Sequence, residues 1–381
     1  MKNAGIISRN SSLSYKQDST LLIAIFALVS AGLVMVYSSS FILAQEQYRD
    51  GLYFLKRHVF FLSFGLLSFF IGFKLRTEKL KKLSTLVFIL AIGLLIATFV
   101  PGVSRRAGGA SRWISFGFFG FQPSEFAKFA AILFIARTLD RKSYLQDNFR
   151  TGFLTYFITI LPIYFLLLLQ PDFGTTALLL CTTVCMITAC GVRFKYLLAS
   201  IGVLIPTAAI LILSSPYRKA RVLGFLDPWA DPGHKGFQII QSWLAFFSGK
   251  WLGVGVGNSH EKLFYLPKAH NDFIFAVIAE EWGLVGVIFF IFLFLLILWR
   301  GLQIATKQTE TFERALATGI ASMLGLQAFF NMAVVMGLLP TKGLPLPLVS
   351  YGGSSIVCTL FMLGVLLRLS SQPMQKEKLT L

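Results

Sequence analysis

Residues Phe273–Trp299 read FIFAVIAEEWGLVGVIFFIFLFLLILW. A bilayer core about 30 Å thick needs roughly 20 apolar residues in a helix, and this run exceeds that length. It shows no apolar–polar alternation, so it reads as a membrane helix rather than a barrel strand. In lipid every backbone N–H and C=O must be satisfied internally, which leaves helices and closed barrels.

Working outward from it, nine further runs meet or approach the same length: Leu21–Phe41, Phe54–Phe73, Leu83–Val100, Phe121–Ala136, Phe153–Leu169, Gly174–Gly191, Tyr196–Leu213, Ala315–Leu339 and Ile356–Leu367. The fourth and the last are short. Each gains a turn if its polar approach, Gln122-Pro123-Ser124-Glu125 or Ser350-Tyr351-Gly352-Gly353, joins the helix. The chain is 55% hydrophobic and only 14% charged over 381 residues, too few charges to cover a soluble domain of this size. The expected fold is therefore all-α: a polytopic integral membrane protein with ten transmembrane helices.

Ten spans put both termini on one side. Segments on that side hold 20 Lys and Arg, and the opposite side holds 14, seven of them in the single long segment Ser214–His270. The positive-inside rule then places both termini in the cytoplasm. The expected organisation is a cytoplasmic tail over 1–20, one membrane domain over 21–369 and a cytoplasmic tail over 370–381. Residues 214–270 form a large extracytoplasmic loop between the seventh and eighth spans. The first span follows a polar start without a small-residue cleavage site and reads as a retained anchor. No long internal repeat supports an inverted-repeat transporter.

The net charge of +18 is explained in large part by cytoplasmic Lys and Arg facing anionic lipid. Basic groups on the outer side point instead to an anionic ligand. A lipid or its headgroup suits a bilayer-embedded chain, and nucleic acid does not. Cys181, Cys185, Cys190 and Cys358 lie in apolar runs and read as small packing residues. The four His residues show no metal-ligand spacing.

The outer links are rich in Gly, Pro and aromatics, and function concentrates in loops held by a rigid scaffold. The outward half carries the acids Glu125, Asp172, Asp227, Asp231, Glu261, Asp272, Glu280 and Glu281. Acids at membrane depth are costly and often functional. Glu125 and Lys128 are three apart and share a helix face. They read equally as a buried ion pair that fixes packing or as part of a catalytic site. Asp272 stands at the start of the long apolar run. Either Asn271 or Asp272 caps that helix, or Asp272 is a general base kept ionised by the helix N-terminus. Arg105, Arg106 and Arg112 crowd one outer loop, Arg218, Lys219 and Arg221 another, and Lys342 a third. These cations suit a pyrophosphate or form a solvated, headgroup-facing rim. Gly249, Gly253, Gly255 and Gly257 make a close-packing stretch without the context of a nucleotide loop. Gly352 and Gly353 allow Tyr351 to approach another backbone.

Nearly the whole chain, to Leu369, resembles the shape, elongation, division and sporulation (SEDS) family. The resemblance rests on specific motifs: Gly109-Ala110-Ser111-Arg112-Trp113-Ile114, Gln122-Pro123-Ser124-Glu125, Gln170-Pro171-Asp172-Phe173-Gly174-Thr175, Asp227-Pro228, Asp231-Pro232, Asp272-Phe273-Ile274-Phe275-Ala276 and Ser350-Tyr351-Gly352-Gly353-Ser354-Ser355. Gly255-Val256-Gly257-Asn258-Ser259 and Thr341-Lys342-Gly343 look like the division branch rather than the elongation branch. Two positions depart from the family pattern: Asn271 stands where Thr is usual and Lys268 where Glu is common.

The resemblance implies a peptidoglycan glycosyltransferase. It would polymerise lipid II at the outer face of the bacterial inner membrane, with undecaprenyl pyrophosphate as leaving group, and work at the division site. Expected partners are lipid II and undecaprenyl-linked glycan, a class B penicillin-binding transpeptidase and other division proteins. The family's essential acid falls on Asp272, and its intramembrane Glu and Lys fall on Glu125 and Lys128, giving the expected catalytic set. Arg112, Lys342, Arg221, His270, Ser350 and Gly352 form the expected substrate- and pyrophosphate-binding set. A divalent cation, Mg²⁺ or Mn²⁺, is an expected helper. Competing readings are a lipid II flippase, an elongation-type polymerase and a non-catalytic division scaffold.

Overall fold

The computed structural model describes residues 17–107, 110–116, 119–141, 154–191, 202, 213, 216–234, 236–259, 270–341 and 343–371. Helices α1 (Ser19–Tyr48), α2 (Tyr53–Lys74) and α3 (Thr77–Ala97) are followed by strands β1 (Ser104–Ala107), β2 (Ala110–Phe116) and β3 (Phe119–Phe121). Then come α4 (Pro123–Arg141), α5 (Thr155–Leu169) and α6 (Phe173–Ala189). The segment 214–270 carries α7 (Pro216–Leu226), a 3₁₀ turn at Pro228–Ala230 and α8 (Phe237–Gly249). Helices α9 (Ile274–Thr306), α10 (Thr311–Val335) and α11 (Gly353–Ser370) complete the described chain.

Six of these, α1, α2, α3, α9, α10 and α11, are long and apolar enough to cross a membrane, and α5 and α6 are shorter apolar helices. The molecule is a helical, multi-span membrane protein. Of the ten expected spans, the seventh, Tyr196–Leu213, lies outside the described residues apart from its last residue and residue 202. The last span gains its extra turn, since α11 opens at Gly353; the fourth gains length at its other end, since α4 opens at Pro123, inside the expected run, and continues to Arg141. Pro at the first helical position costs no hydrogen bond, because that N–H has no intrahelical partner.

Three features correct the sequence reading. The fold is not purely helical: β1, β2 and β3 form an antiparallel sheet in order β1-β2-β3, within the link expected to be a loop. Ala110–Phe116 pairs on both sides, so its backbone groups are satisfied away from any helix. The segment 214–270 is not one loop, since α7 and α8 lie in it; both are too short for a bilayer-length signal.

The third correction concerns the run that sets the fold. Helix α9 is broken at Gly283, where φ is 64° and ψ is −161°. The backbone groups freed by the break are taken by the glycine-rich segment. Leu284 N donates to Lys250 O at 2.9 Å and Val285 N to Trp251 O at 3.2 Å. In return Glu280 O and Glu281 O accept from Val254 N at 3.0 Å and Gly255 N at 3.1 Å. A Cβ on Gly253 would fall 2.1 Å from Glu281 O, and one on Gly249 would fall 1.9 Å from Ala279 O. The close packing expected of the four glycines is therefore observed at Gly249 and Gly253, against a partner that the sequence did not indicate, whereas a Cβ on Gly257 would meet nothing within 4 Å.

Helices α2 and α11 pack through small residues. A Cβ on Gly72 would sit 2.5 Å from Phe361 O, and one on Gly364 would sit 2.1 Å from Phe69 O. Among membrane helices, where lipid and side chain are equally apolar, such close approach drives association. Helix α4 is buried along almost its whole length, including Glu125 and Lys128, and lies at the centre of the bundle.

The two ends of the described chain meet on one face. Arg300, near the end of α9, pairs with Asp18 at 2.6 Å. Asp18 N donates to Ser370 Oγ at 3.4 Å. Thr77 at the start of α3 donates to Glu313 at the start of α10, 2.7 Å away. Lys81 and Asp140 pair at 2.6 Å between the start of α3 and the end of α4.

Candidate active site

On the opposite face, residues 270–272 lead into α9 and run beside the segment 343–352. The two are stitched by backbone and side-chain hydrogen bonds. Tyr351 N donates to His270 O at 3.0 Å. Ser350 Oγ donates to Asn271 O at 2.6 Å and accepts from Leu346 N at 2.8 Å. Asn331 Nδ2, from α10, donates to both Asp272 O and Leu344 O at 2.7 Å.

Asp272 is half-buried at this junction. The helix N-cap is Phe273, with no side-chain capping bond, so the cap position falls one residue beyond Asp272. Gly343 stands against the carboxylate: a Cβ there would lie 2.9 Å from Asp272 Oδ2. The beginning of a helix favours negative charge, because its N–H dipoles point toward it. A carboxylate here suits a base that accepts a proton from a substrate hydroxyl.

His270 packs its ring on Phe54 of α2, with centroids 4.8 Å apart, and on Tyr351 at 5.8 Å. Phe54 and Tyr351 meet edge to face at 5.3 Å. The N-terminal end of α2 thus walls the junction. Burial pushes the Tyr351 hydroxyl above its ordinary pKa, so it stays protonated at neutral pH. Gly352 has φ −176° and its Cβ would meet only ordinary contacts. The close approach occurs instead at Gly353, where a Cβ would lie 2.8 Å from the Phe61 ring.

Deeper in the bundle, Lys128 Nζ and Glu125 Oε1 are 2.9 Å apart, with side chains 1% and 4% exposed. Lys128 also donates to Gln327 Oε1 at 2.7 Å. Gln327 Nε2 donates in turn to Pro345 O at 2.9 Å. Glu125 Oε2 is buried with no hydrogen-bond partner among the described residues. The pair is thus a buried ion pair linked to the junction through α10.

Arg112 lies on β2. Its Nε donates to Gln170 O at 2.9 Å and its Nη2 to Pro171 O at 2.8 Å, tying the sheet to the link between α5 and α6. Arg221 on α7 donates to Thr341 O at 3.2 Å, which brings that helix to the edge of the junction. Lys342, between Thr341 and Gly343, lies outside the described residues, as do Glu261 and Lys268. The side chains of Arg105, Arg106 and Arg218 are likewise not described.

Most of the other acids expected on the outward half have local structural work. Asp172 caps α6, accepting from Thr175 N at 3.3 Å and Thr175 Oγ1 at 2.9 Å. Asp227 caps the 3₁₀ turn through Ala230 N at 3.2 Å. Asp231 pairs with His234 at 3.2 Å. Glu281 is fully buried and accepts from Ser38 Oγ of α1 at 2.6 Å, and its neighbour Glu280 accepts from Ser259. Sequence reasoning missed Gln327 and Asn331. Their signal was present: two amides one turn apart inside an apolar run, which is an unusual place for polar side chains.

The profile of the family described as cell cycle protein, with FtsW, RodA and SpoVE as its named members, matches residues 19–375. A probable peptidoglycan glycosyltransferase FtsW from Geobacter metallireducens is 42% identical over 357 residues, covering 94% of this chain and 95% of that protein. Among solved structures, a chain from a peptidoglycan synthase complex that coordinates polymerization and crosslinking superposes with a TM-score of 0.76. It is 32% identical, over 93% of this chain and 97% of that one. The rod shape determining protein RodA of Thermus thermophilus superposes with a TM-score of 0.66 and 28% identity, over 93% of this chain and 96% of that one.

Proposed function

The chain belongs to the cell cycle protein family of FtsW, RodA and SpoVE, and from that premise we propose that it is a peptidoglycan glycosyltransferase of the division type. It polymerises lipid II at the outer face of the cytoplasmic (inner) membrane. In this reading ten spans place both termini in the cytoplasm. The junction around Asp272 then faces outward, where the lipid-linked sugars are.

Asp272 takes the proton from the 4-hydroxyl of the acceptor sugar. The freed oxygen attacks C1 of the donor, the glycosidic bond to the pyrophosphate breaks, and undecaprenyl pyrophosphate departs with the electron pair. Arg112, Arg221 and Lys342 meet the leaving group's charge, as fixed cations do where charge develops in a transition state. His270, Ser350 and Gly352 shape the substrate side of the junction, and Glu125 and Lys128 hold it from within. The observation that carries the reading is the position of Asp272. It lies at the start of α9, where 343–352 and α10 converge, on the face opposite the chain ends.

Among the described residues no three His, Cys, Asp or Glu side chains converge on a common point. Mg²⁺ commonly takes one or two carboxylates and completes its shell with phosphate oxygens and water. Asp272 would be the carboxylate that holds such a cation at the junction. Such an ion would neutralise developing charge on the leaving group.

The partner in this reading is a class B penicillin-binding transpeptidase, with the protein acting at the division site. The test is polymerisation of labelled lipid II by purified protein in detergent, with and without that partner and with and without chelator. Polymer is expected, because no membrane is needed. A flippase or a scaffold gives none under any of these conditions. Loss of polymer with chelator, restored by Mg²⁺ or Mn²⁺, supports the cation; an unchanged rate removes it from the mechanism.

A further inference from the structure

The described residues trace a polar path from the intramembrane ion pair to Asp272, and α10 supplies its middle. Gln327 and Asn331 are one helical turn apart and therefore share a face. They are 1% and 2% exposed. Gln327 accepts from Lys128 and donates to Pro345 O. Asn331 donates both of its amide hydrogens to main-chain carbonyls, one at Asp272 and one at Leu344. Its Oδ1 is buried with no hydrogen-bond partner among the described residues. The residue is thus used as a double donor. A carboxamide is the short side chain that places two N–H groups on one atom.

The geometry has a consequence for the acid. Leu344 follows Gly343, and Gly343 is the residue whose backbone lies against the Asp272 carboxylate. By drawing Asp272 O and Leu344 O onto a single nitrogen, Asn331 sets the spacing between that backbone and the carboxylate. Gln327 fixes the next carbonyl along, at Pro345, and takes its own orientation from Lys128. We infer that Asn331, supported by Gln327, is a positioning residue that holds the Asp272 carboxylate at its working distance from the substrate hydroxyl. The bland alternative is that both amides simply glue α10 to the loop, as buried polar residues do between membrane helices.

This inference rests on Asp272 being the base, and the test separates the two. Steady-state rates on lipid II are measured for the purified full chain with its transpeptidase partner. The variants are N331A, N331D, D272A, D272E and the double variant D272E/N331A, each checked for folding by thermal unfolding in detergent. Misplacing a reacting group by about 1 Å costs roughly 10²-fold. N331A is accordingly expected to lose about that much in kcat, with KM within about twofold of the parent. N331D should lose as much despite its equal size, because it turns acceptors toward two carbonyls. In the D272E background, where the carboxylate is already displaced, N331A should cost far less than in the parent. Three results overturn the inference alone: N331A at the parental rate, a loss confined to KM, or losses that multiply in the double variant. D272A at the parental rate overturns the base assignment and the inference together.

Discussion

Lys128 shows how far a single residue can be read from sequence. Its three-residue spacing from Glu125 indicated a shared helix face, and the structure pairs them at 2.9 Å. The sequence could not show that Gln327, far along the chain, would be the second acceptor for the ammonium. Removing one partner of a buried pair leaves an uncompensated charge, which costs about 3–5 kcal/mol, whereas replacing both by apolar groups is often neutral. Lys128→Met alone is therefore expected to lower stability by that amount. Lys128→Met with Glu125→Leu should recover most of it. Chemical or thermal unfolding of the four proteins in a double-mutant cycle measures this; equal losses in the single and double variants contradict it. Asp272 was legible as a candidate, but cap and base could not be separated from local sequence. The structure puts Phe273 rather than Asp272 at the N-cap, and the base role belongs to the proposed function.

At the scale of elements, apolar run length carried most of the fold. It located the long helices because bilayer thickness sets their length. It failed where backbone hydrogen bonding depends on partners remote in sequence. The sheet β1–β3 and the short helices α7 and α8 give no bilayer-length signal. The break in α9 was hidden by apolar residues on both sides, since the carbonyls and N–H groups it frees are satisfied by residues 250–255. Gly283 is the residue that permits the break: its φ is positive and a Cβ would lie 2.3 Å from Gly253 N. An alanine there meets a positive-φ, extended conformation that is essentially restricted to glycine and costs about 1–3 kcal/mol, in addition to the clash. Gly283→Ala should therefore lower the unfolding midpoint, whereas Gly93→Ala, whose Cβ meets nothing within 4 Å, should leave it unchanged. Equal midpoints for the two would refute the role given to the break. At the contact between α2 and α11, Gly364→Val forces side-chain carbons onto Phe69 O. Overpacking of this kind costs typically about 1–3 kcal/mol, read by the same unfolding measurement; a parental midpoint would contradict the close approach.

At the scale of the whole molecule, one face gathers the chain ends, through Asp18, Arg300 and Ser370, and the other gathers the candidate site. The charge count led to the expectation of both termini on one side, and the contacts of Asp18 with Arg300 and Ser370 bring together the ends of the described chain. The central claim is chemical: a carboxylate on the outward face activates the acceptor hydroxyl. The most direct measurement is the initial rate of lipid II polymerisation by purified protein carrying Asp272→Ala, beside Asp227→Ala as a control that removes only a turn cap. General-base catalysis contributes about 10²- to 10⁴-fold. Asp272→Ala should lose at least that much, with the protein folded and Asp227→Ala within a few-fold of the parent. An Asp272→Ala protein that polymerises lipid II at the parental rate would contradict the account.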